Sequence, residues 1–541
     1  MISEQKIKVS FYRNLKILYA IAATFISGTM LFLAFPSYDF SLSAWFAFVP
    51  LFLLLSKSKP SSGFFILFLF GVVFYTGVFI WMFDLPNYMV LHHAILGIYL
   101  CPLLGIFGWL FCFIIKRRDF TSALLAAPFL WVIQEYVRSN LSFLSLPWGL
   151  LGHSQYQSPM VIQSASIAGV YGVSFLIVLV NSALTVLIYS LFIRLNILKP
   201  EDKYQFSYRG RNILLGISAV FFISALVYGH MVISNQINGN KIKISIVQAN
   251  IEQSKKWDKK YAATIMQIYS DLTQKASADQ PDLIVWPEAA TPKAVHRDRK
   301  IFNTVKNLAS VTNTPILLGS SQLAKFKVNE LKKKAKYLNS AFLIHPGDGN
   351  GITQKYNKIR LLPFSEYLPY KEKIPWSYLR IPDVDNYLPG KKYTVFELTG
   401  FRFGVTICWE NIFPGIVREF VNNGAQFLIN ITNEAWFGET AAPYQFLAMS
   451  VFRAVENHRY LVRCANTGVS CIIDPQGRIL DKVKDNRGRA IFVRGNLTGS
   501  VTPFKDRTFF NRYGDWLVWL SLIVSLMFLV LTFMKKKPSL K

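Results

Sequence analysis

Charged residues and cysteines are both scarce in this sequence. Charged residues make up 17% of the 541 positions and hydrophobic residues 52%, whereas ordinary soluble domains contain roughly 25% charged residues. An ordinary cytosolic enzyme is therefore disfavoured. Five cysteines are too few for a disulfide-dense secreted scaffold. The sequence also lacks the internal repeats and low-complexity tracts that are typical of solenoids and disordered chains.

The apolar residues are concentrated in long runs. Because the hydrocarbon core of a bilayer is about 30 Å thick, a helix that spans it needs roughly 20 apolar residues. Six runs meet that length: Leu15–Phe35, Gly63–Phe83, Ile95–Ile115, Ile167–Phe192, Ile213–Ile233 and Trp516–Phe533. Two shorter candidates are Phe40–Leu55 and Thr121–Val137. We therefore predict an eight-helix transmembrane bundle, and we interpret the first run as a retained helix rather than a signal peptide.

The basic residues predict how these helices are oriented. Lys and Arg number 59 against 31 Asp and Glu. With a cytoplasmic N-terminus, the cytoplasmic segments hold 18 of the Lys and Arg residues, and the short loops on the other side hold one, Arg138. This asymmetry follows the positive-inside rule, so both termini are predicted to face the cytoplasm. The basic segments then face anionic lipid, and no interleaved basic and aromatic module indicates a nucleic-acid partner.

Three domains follow from this pattern. We predict a transmembrane domain of seven helices over residues 1–235, an extracytoplasmic domain over 236–512, and a last transmembrane helix with a basic cytoplasmic tail over 513–541. In the middle domain, short β-branched runs alternate with helical stretches, which indicates an α/β domain with a mixed sheet. The predicted strands are Lys241–Ile251, Asp282–Trp286, Pro315–Gly319, Ala341–Ile344, Phe403–Ile407, Gln426–Ile431, Tyr460–Ala465 and Val469–Ile473. The predicted helices include Tyr261–Ala276 and Tyr444–Asn457.

Three polar residues at the ends of apolar segments could carry chemistry. Glu288 follows LIVWP, Cys408 follows GVTI, and Lys358 precedes LLPFSEY. Side chains at strand ends converge in α/β folds. A thiol with an ordinary pKa of about 8.5 needs a base to attack at neutral pH, a carboxylate can take its proton, and an ammonium can stabilise an oxyanion. Taken singly, a cysteine in an apolar strand is more often a core residue, and a lone Glu or Lys is usually solvated.

Longer motifs around these residues resemble a known family. Pro281–Glu288 (PDLIVWPE), Tyr356–Pro369 (YNKIRLLPFSEYLP) and Gly404–Glu410 (GVTICWE) resemble, in this order, the motifs of the nitrilase superfamily of carbon–nitrogen hydrolases. Val247–Asp258 (VQANIEQSKKWD) and Thr432–Gly438 (TNEAWFG) are similar to the apolipoprotein N-acyltransferase branch. The membrane part agrees, and its matching pieces are Glu135 with Arg138, Pro147-Trp148, Gly152–Gln155 and Gly169–Phe175 (GVYGVSF). The resemblance implies a nitrilase-like αββα sandwich joined to transmembrane helices.

The resemblance also implies a role for each matching residue. Glu288 corresponds to the general base, Lys358 to the oxyanion stabiliser and Cys408 to the nucleophile. Glu366 corresponds to a second carboxylate that supports Lys358, and Glu410 to a further essential acid. Three aromatic residues are implied in substrate binding: Trp257, Tyr367 and Trp436. Three positions depart from the family pattern: Ser365, where Gly is usual, Trp409, where Tyr is common, and Glu434, where Asp is common.

The reaction implied is a two-step transfer through a thioester. The donor would be a glycerophospholipid, by analogy phosphatidylethanolamine, and the acceptor the α-amino group of the N-terminal S-diacylglyceryl-cysteine of an apolipoprotein. This is the last step of lipoprotein maturation, at the bacterial inner membrane with the catalytic domain in the periplasm. No cofactor is implied, and the seven histidines lack the spacing of a zinc site.

Two other functions and one structural point stay open. A membrane-tethered amidase or nitrilase would share the three residues but release a free acid; the motifs of the later spans favour the transferase. A non-enzymatic scaffold would be expected to lose one of the three residues, and all are present. Cys464 and Cys471 flank a turn and could pair across a hairpin, although buried free thiols are favoured.

Overall fold

The computed structural model of the chain describes residues 2–197, 206–324, 336–347, 354–384 and 387–534. It divides into two compact units. The membrane unit comprises Met1–Phe83, Asn87–Met231 and Asp515–Lys541, and the catalytic unit comprises Asp84–Pro86 and Val232–Gly514. The basic tail predicted after the last helix, residues 535–541, lies outside the described residues.

The membrane unit is helical. Its helices are α1 (Ile2–Leu33), α2 (Val49–Leu55), α3 (Pro60–Phe79), α4 (Val90–Arg117), α5 (Phe120–Asn140), α6 (Pro159–Ile162), α7 (Ala165–Arg194), α8 (Tyr208–Ser234) and the last helix of the chain, Trp516–Met534. Among the described residues, six helical segments are long and apolar enough to cross a bilayer: Pro60–Asp84, Val90–Arg117, Phe120–Asn140, Ala165–Arg194, Tyr208–Ser234 and Trp516–Met534. These segments mark the chain as a membrane protein.

Two predicted spans are not among these six segments, so the count of eight stays a prediction. The apolar part of the first is Ile17–Leu33, and the second is Ser41–Leu55. In the second, a 3-10 turn precedes the seven residues of α2, which rise only about 10 Å at 1.5 Å per residue. The short candidate Thr121–Val137 instead belongs to α5, which has 21 residues. The N-terminus of α5 is capped by Asp119, which accepts a hydrogen bond from the Ser122 N–H at 2.8 Å.

The catalytic unit is an α/β structure with two sheets. Its strands are β1 (Ile242–Gln248), β2 (Leu283–Val285), β3 (Ile316–Leu323), β4 (Tyr337–Ile344), β5 (Gln354–Asn357), β6 (Val395–Leu398), β7 (Phe401–Ile407), β8 (Phe427–Thr432), β9 (Leu461–Ala465), β10 (Cys471–Ile473), β11 (Ile479–Lys482) and β12 (Gly495–Val501). Its helices are α9 (Gln253–Lys256), α10 (Ala262–Ser277), α11 (Arg299–Val311), α12 (Pro414–Asn422), α13 (Ala442–Asn457) and α14 (Phe509–Tyr513).

The two sheets have similar plans. The first has the order β12-β1-β2-β3-β4-β5 and the second β11-β10-β9-β8-β7-β6. Each contains three parallel strands, β1 to β3 or β7 to β9, flanked by antiparallel ones. The sheets contact each other through β1 with β9 and β4 with β7, while α10 and α11 cover the first sheet and α12 and α13 the second. The predicted α/β sandwich is therefore confirmed for this unit, and its extracytoplasmic placement stays a prediction.

The helices cover the sheets through apolar stripes. In α11, Ile301, Val305 and Leu308 are buried at helical spacing, as expected for one face turned to the core. In α10, Tyr269 stacks on Trp286 with ring centroids 4.6 Å apart. The Trp286 indole N–H also donates to the Thr273 hydroxyl at 3.0 Å. The chain just after β2 is thereby anchored.

All eight predicted strands are present, with ends that differ by a few residues, and four strands were not predicted. The missed strands are β5, β6, β11 and β12. The sequence of β5 is QKYN, and that of β12 is GNLTGSV. Lys, Asn and Gly are depleted in strands, so neither segment carries a local strand signal.

Candidate active site

The three residues singled out in the sequence lie at the ends of strands. Glu288 follows β2 by three residues, Lys358 directly follows β5, and Cys408 directly follows β7. All three are buried, with 7%, 2% and 8% of their surface exposed, respectively. A buried charged group is costly unless it is paired or hydrogen-bonded, so the partners of these side chains define the site.

Glu288 is held by three partners. Its Oε1 accepts a hydrogen bond from the Asn339 side-chain amide at 2.7 Å, and its Oε2 accepts one from the Asn433 backbone N–H at 2.9 Å. The Lys358 ammonium lies 3.6 Å from Oε1. The carboxylate is thus fixed in position, and its charge affects the ionisation of Cys408.

Lys358 lies between two carboxylates. Its Nζ donates to Glu366 Oε1 at 3.0 Å and lies 2.9 Å from Oε2, in addition to the contact with Glu288. Burial alone would lower the pKa of Lys358, but the charges of Glu366, Cys408, Glu288 and Glu410 outweigh it, and the pKa is raised. The side chain is therefore a permanent cation at neutral pH.

Asn339 is a residue that sequence reasoning missed. It lies on β4, and its side-chain amide donates both to Glu288 at 2.7 Å and to Glu366 at 3.0 Å. Its backbone carbonyl accepts the N–H of Lys358 at 2.8 Å. Asn339 therefore connects both carboxylates and the lysine. No motif marks it, because an asparagine in a strand carries no local signal of its role.

Cys408 occupies an unusual backbone conformation. Its φ is 56°, in the left-handed region that is unfavourable for residues other than glycine and that clusters at functional sites. The strand β7 ends there and a 3-10 turn begins. Asn430 holds this turn, because its side-chain amide donates to the Cys408 carbonyl at 3.2 Å and to the Thr406 carbonyl at 3.2 Å.

The thiol of Cys408 is protonated at rest. Burial raises its pKa to about 12, and the nearby Glu288 charge raises it as well, while Lys358 lowers it. A hydrogen bond with the Thr432 side chain also lowers it. A thiol with this pKa needs a base in contact range before it can attack. Among the charged groups that act on this thiol, the Glu288 carboxylate has the largest effect on its pKa.

Two glycines allow the backbone segments to approach closely. A Cβ at Gly319 would lie 2.6 Å from the Glu288 Cα, and one at Gly390 would lie 2.0 Å from the Asn357 carbonyl oxygen. Both distances are shorter than any real contact. The Gly390 N–H also donates to the Lys358 carbonyl at 2.7 Å. Glycine at these two positions therefore allows the backbone approach that sets where Glu288 and Lys358 lie.

Glu410 is buried close to the cluster but has different partners. Its Oε1 accepts the Tyr356 hydroxyl at 2.8 Å and the backbone N–H groups of Ile359 and Arg360 at 2.7 and 3.0 Å. Its Oε2 accepts the Ile407 N–H at 2.8 Å. Burial raises the pKa of Glu410 to about 7, against the hydrogen bonds that lower it. Glu410 therefore ties the turn that carries Cys408 to the segment that carries Lys358.

The three aromatic residues expected to bind substrate lie near the cluster in sequence and towards the surface. Trp257 and Trp436 are 48% and 50% exposed, and Tyr367 is partly buried. Each lies one to three residues from a residue that contacts Glu288 or Lys358: Lys256, Asn433 or Glu366. Their role in binding stays a prediction.

The arrangement suits acyl transfer. A buried thiol, a carboxylate that can accept its proton and an ammonium that can stabilise an oxyanion provide the three functions that such a reaction needs. Within the part of the chain that the structure describes, no group of three or more His, Cys, Asp or Glu side chains is placed to hold a metal ion. All five cysteines are free, Cys464 and Cys471 included.

Comparison with known proteins agrees with both units. Residues 27–183 match the family described as the apolipoprotein N-acyltransferase N-terminal domain, and residues 243–492 match the carbon-nitrogen hydrolase family. An apolipoprotein N-acyltransferase of Geobacter metallireducens is 35% identical over 94% of this chain and 95% of its own length. The chain belongs to the apolipoprotein N-acyltransferase family.

A second relative of that name is somewhat less similar and also matches most of the chain. The protein of that name from Chlorobaculum tepidum is 31% identical over 84% of this chain and 86% of its own length. Among solved structures, an amidase of the nitrilase superfamily from Nesterenkonia covers 52% of this chain and 94% of its own, with 17% identity and a TM-score of 0.36.

Proposed function

We propose that this protein transfers an acyl chain from a glycerophospholipid to the N-terminal amine of a diacylated apolipoprotein, with Cys408 as the nucleophile. One observation carries the proposal: the thiol, the Glu288 carboxylate and the Lys358 ammonium are buried together and interact, in a chain that belongs to the apolipoprotein N-acyltransferase family. The names of the relatives support the acceptor, and the apolar helices support a lipid donor.

In the first step, Glu288 takes the proton of Cys408 as the sulfur attacks the ester carbonyl of the phospholipid. The resulting oxyanion is stabilised by the Lys358 ammonium, which two carboxylates hold in position. The C–O bond then breaks, and the leaving lysophospholipid oxygen takes the proton from Glu288. The acyl chain remains on Cys408 as a thioester, and a phosphatidylethanolamine would serve as donor.

In the second step, the free α-amino group of an S-diacylglyceryl-cysteine attacks the thioester. Glu288 accepts a proton from the attacking nitrogen, Lys358 again stabilises the oxyanion, and the C–S bond breaks. The departing sulfur regains its proton from Glu288, and the product is an amide. A thioester suits this step because amines attack thioesters more readily than oxygen esters.

The location is part of the same proposal. The excess of Lys and Arg in the segments predicted to be cytoplasmic supports a catalytic unit on the periplasmic side of the bacterial inner membrane, since the positive-inside rule sets orientation. An enzyme anchored beside its two lipid-linked substrates meets both at high effective concentration.

Mass spectrometry of the intact protein tests the proposal. Full-length protein in detergent, incubated with one defined phosphatidylethanolamine, is expected to gain one acyl mass per chain, which Cys408→Ala abolishes. Cys464→Ala is the matched control, because this second buried thiol of the same unit donates to the carbonyls of Val247 and Val285 and should leave labelling unchanged. A labelled Cys408→Ala protein would exclude Cys408 as the nucleophile.

Addition of a diacylglyceryl-cysteine peptide separates a transferase from a hydrolase. The acyl mass should leave the enzyme and reappear on the peptide amine, and lysophospholipid should then accumulate over many turnovers. Continuous release of free fatty acid without the peptide would identify a hydrolase of the amidase type instead.

A further inference from the structure

A second lysine, Lys256, is buried beside the general base. It ends the short helix α9 and is 2% exposed. Its ammonium donates to the backbone carbonyl of Glu288 at 3.1 Å. The preceding Lys255 differs in every respect: its side chain is 43% exposed and pairs with Glu252 at 2.8 Å on the surface. Two adjacent lysines therefore have opposite environments.

The charge of Lys256 acts on the reacting groups. It interacts with Glu288 and with Cys408, whereas Glu252 and Lys255, its charged neighbours in sequence, are exposed. Burial lowers the pKa of Lys256 to about 8, so the side chain is still largely a cation at neutral pH. A buried cation is costly and is expected to be retained where it stabilises negative charge nearby.

The two other cations that act on Cys408 each have a carboxylate partner of their own. The thiol interacts with the carboxylates of Glu288 and Glu366 and with the Lys358 ammonium, and Arg463 from β9 also interacts with it. Lys358 is closest to Glu366, and Arg463 forms a buried ion pair with Glu434. Both of these cations already face a carboxylate at close range. Lys256, by contrast, contacts a neutral carbonyl.

We propose that Lys256 is a positioning residue whose charge keeps the pair of Cys408 and Glu288 in its reactive form at neutral pH. This pair is reactive when it holds one proton and carries one negative charge, on the carboxylate before proton transfer and on the sulfur after it. A nearby cation stabilises that charge in both places. The inference rests on the proposed roles of Cys408 and Glu288. It adds that these two residues need the positive charge of Lys256 nearby.

Two substitutions separate the charge of Lys256 from its hydrogen bond. Lys256→Met removes both, whereas Lys256→Gln keeps a donor for the Glu288 carbonyl and removes the charge. The readout is the rate at which iodoacetamide alkylates Cys408 as a function of pH, in full-length protein in detergent, with the rate of Cys408→Ala subtracted. Lys255→Met is the matched control from the same helix.

Both Lys256 variants are expected to shift the pH profile upward by roughly one unit, the smallest effect typical of removing an interacting opposite charge. Because the pKa of the thiol is about 12, this shift is measured as a roughly tenfold slower alkylation at each pH below that value. Lys255→Met should retain the wild-type profile. A shift in Lys256→Met alone would show that only the hydrogen bond matters and would overturn the proposal. An unshifted profile in both variants would overturn it as well. If Lys256→Met fails to fold, Lys256→Gln decides between the same outcomes.

The failure of this inference can be told from the failure of the proposed function. Alkylation reports the ionisation of Cys408 whether or not a phospholipid is the acyl donor. If Cys408 is alkylated with a shifted profile but never gains an acyl mass, the proposed function is wrong and the role of Lys256 stands. If Cys408 is acylated normally and neither Lys256 variant shifts the pH profile of alkylation, the proposed function stands and the role of Lys256 is wrong.

Discussion

Both units of the protein bury charged side chains, but they give them different partners. In the membrane unit, Arg138 donates to the backbone carbonyls of Leu146, Trp148 and Gly149. Glu135 accepts the backbone N–H of Leu151 at 2.7 Å. These charges satisfy the backbone of the irregular segment that follows α5, which is needed where water is scarce.

In the catalytic unit, the charged groups instead face one another. Lys358 lies between Glu288 and Glu366, and the charges of all three act on a thiol. A charged side chain that is hydrogen-bonded to backbone groups stabilises the fold. Ionisable side chains that contact one another can, in addition, exchange a proton. Glu410 shows that this distinction does not follow the domain boundary, because three of its four hydrogen bonds come from backbone N–H groups. The following substitutions test it in order of decreasing effect on acyl transfer.

Glu288→Gln should have the largest effect among these. The amide keeps the shape and the hydrogen bond from Asn433 to its oxygen, whereas its NH2 group faces the Asn339 amide and the side chain cannot accept the thiol proton. General-base catalysis contributes about 10²- to 10⁴-fold, so the rate of thioester formation per folded molecule should fall by that range. Rapid-quench measurement of the acyl-enzyme checks this. A rate within threefold of wild type would mean that another group is the base.

Lys358→Arg should lose roughly 10²-fold or more, although it keeps the charge. Lys358 is 2% exposed between two carboxylates, and a planar guanidinium cannot place one donor where the ammonium nitrogen was. The rate of acyl-enzyme formation is measured against Lys355→Arg, an exposed lysine on β5, which should be unaffected. Near-normal turnover would contradict the role of Lys358.

Asn339→Asp should cause an intermediate loss, about tenfold at neutral pH. The change is nearly isosteric, but it replaces the donor shared by Glu288 and Glu366 with a third carboxylate. Like charges disfavour ionisation, so the rising limb of the pH–rate profile should move to higher pH. A loss of rate with an unmoved profile would assign Asn339 a purely structural role.

Glu410→Gln should affect stability more than the rate per folded molecule. The Gln side chain directs an N–H at the Ile407 N–H, and a buried unsatisfied group costs roughly 1–3 kcal/mol. Because the pKa of Glu410 is raised from its ordinary 4.5 to about 7 in the folded state, the unfolded chain releases this proton first as the pH rises. The folded state binds the Glu410 proton more tightly than the unfolded chain does. The resulting contribution to the free energy of unfolding therefore declines as the pH rises from about 4.5 to 7.

Thermal unfolding in detergent at several pH values checks the Glu410 prediction. The melting temperature of the wild type should fall as the pH rises across that interval. The melting temperature of Glu410→Gln should be lower at neutral pH and should change less with pH. Parallel curves for the two proteins would contradict the assignment of the titration to Glu410.

Arg138→Met should have the smallest effect on chemistry. It leaves three backbone carbonyls of the membrane unit without a donor, so the melting temperature should fall by several degrees, as expected for roughly 1–3 kcal/mol per unsatisfied group. The rate of thioester formation by the protein that remains folded should stay within about twofold of wild type. A 100-fold loss of rate with unchanged melting temperature would break the comparison between the two units.

Local patterns were sufficient for much of the fold. The apolar runs predicted the long helices, because the length of a hydrophobic segment is a local property. β-branched runs predicted eight strands of the catalytic unit, whereas β5 was missed even though Lys358 directly follows it. Its four residues are strand because β4 pairs with them over Ser340 to Leu343, which is a tertiary contact rather than a local preference.

Sequence patterns alone were enough to predict most of the long apolar helices and the α/β character of the catalytic unit. Through its motifs, the sequence also pointed to Glu288, Lys358 and Cys408. The groups that hold these three residues became visible only in the folded chain. Asn339 and the N–H of Asn433 reach Glu288 from positions 51 and 145 residues away, and Lys256 reaches its carbonyl from 32 residues away. Such partners carry no local signal, because a hydrogen bond depends on where the fold brings two groups and not on the residues beside them.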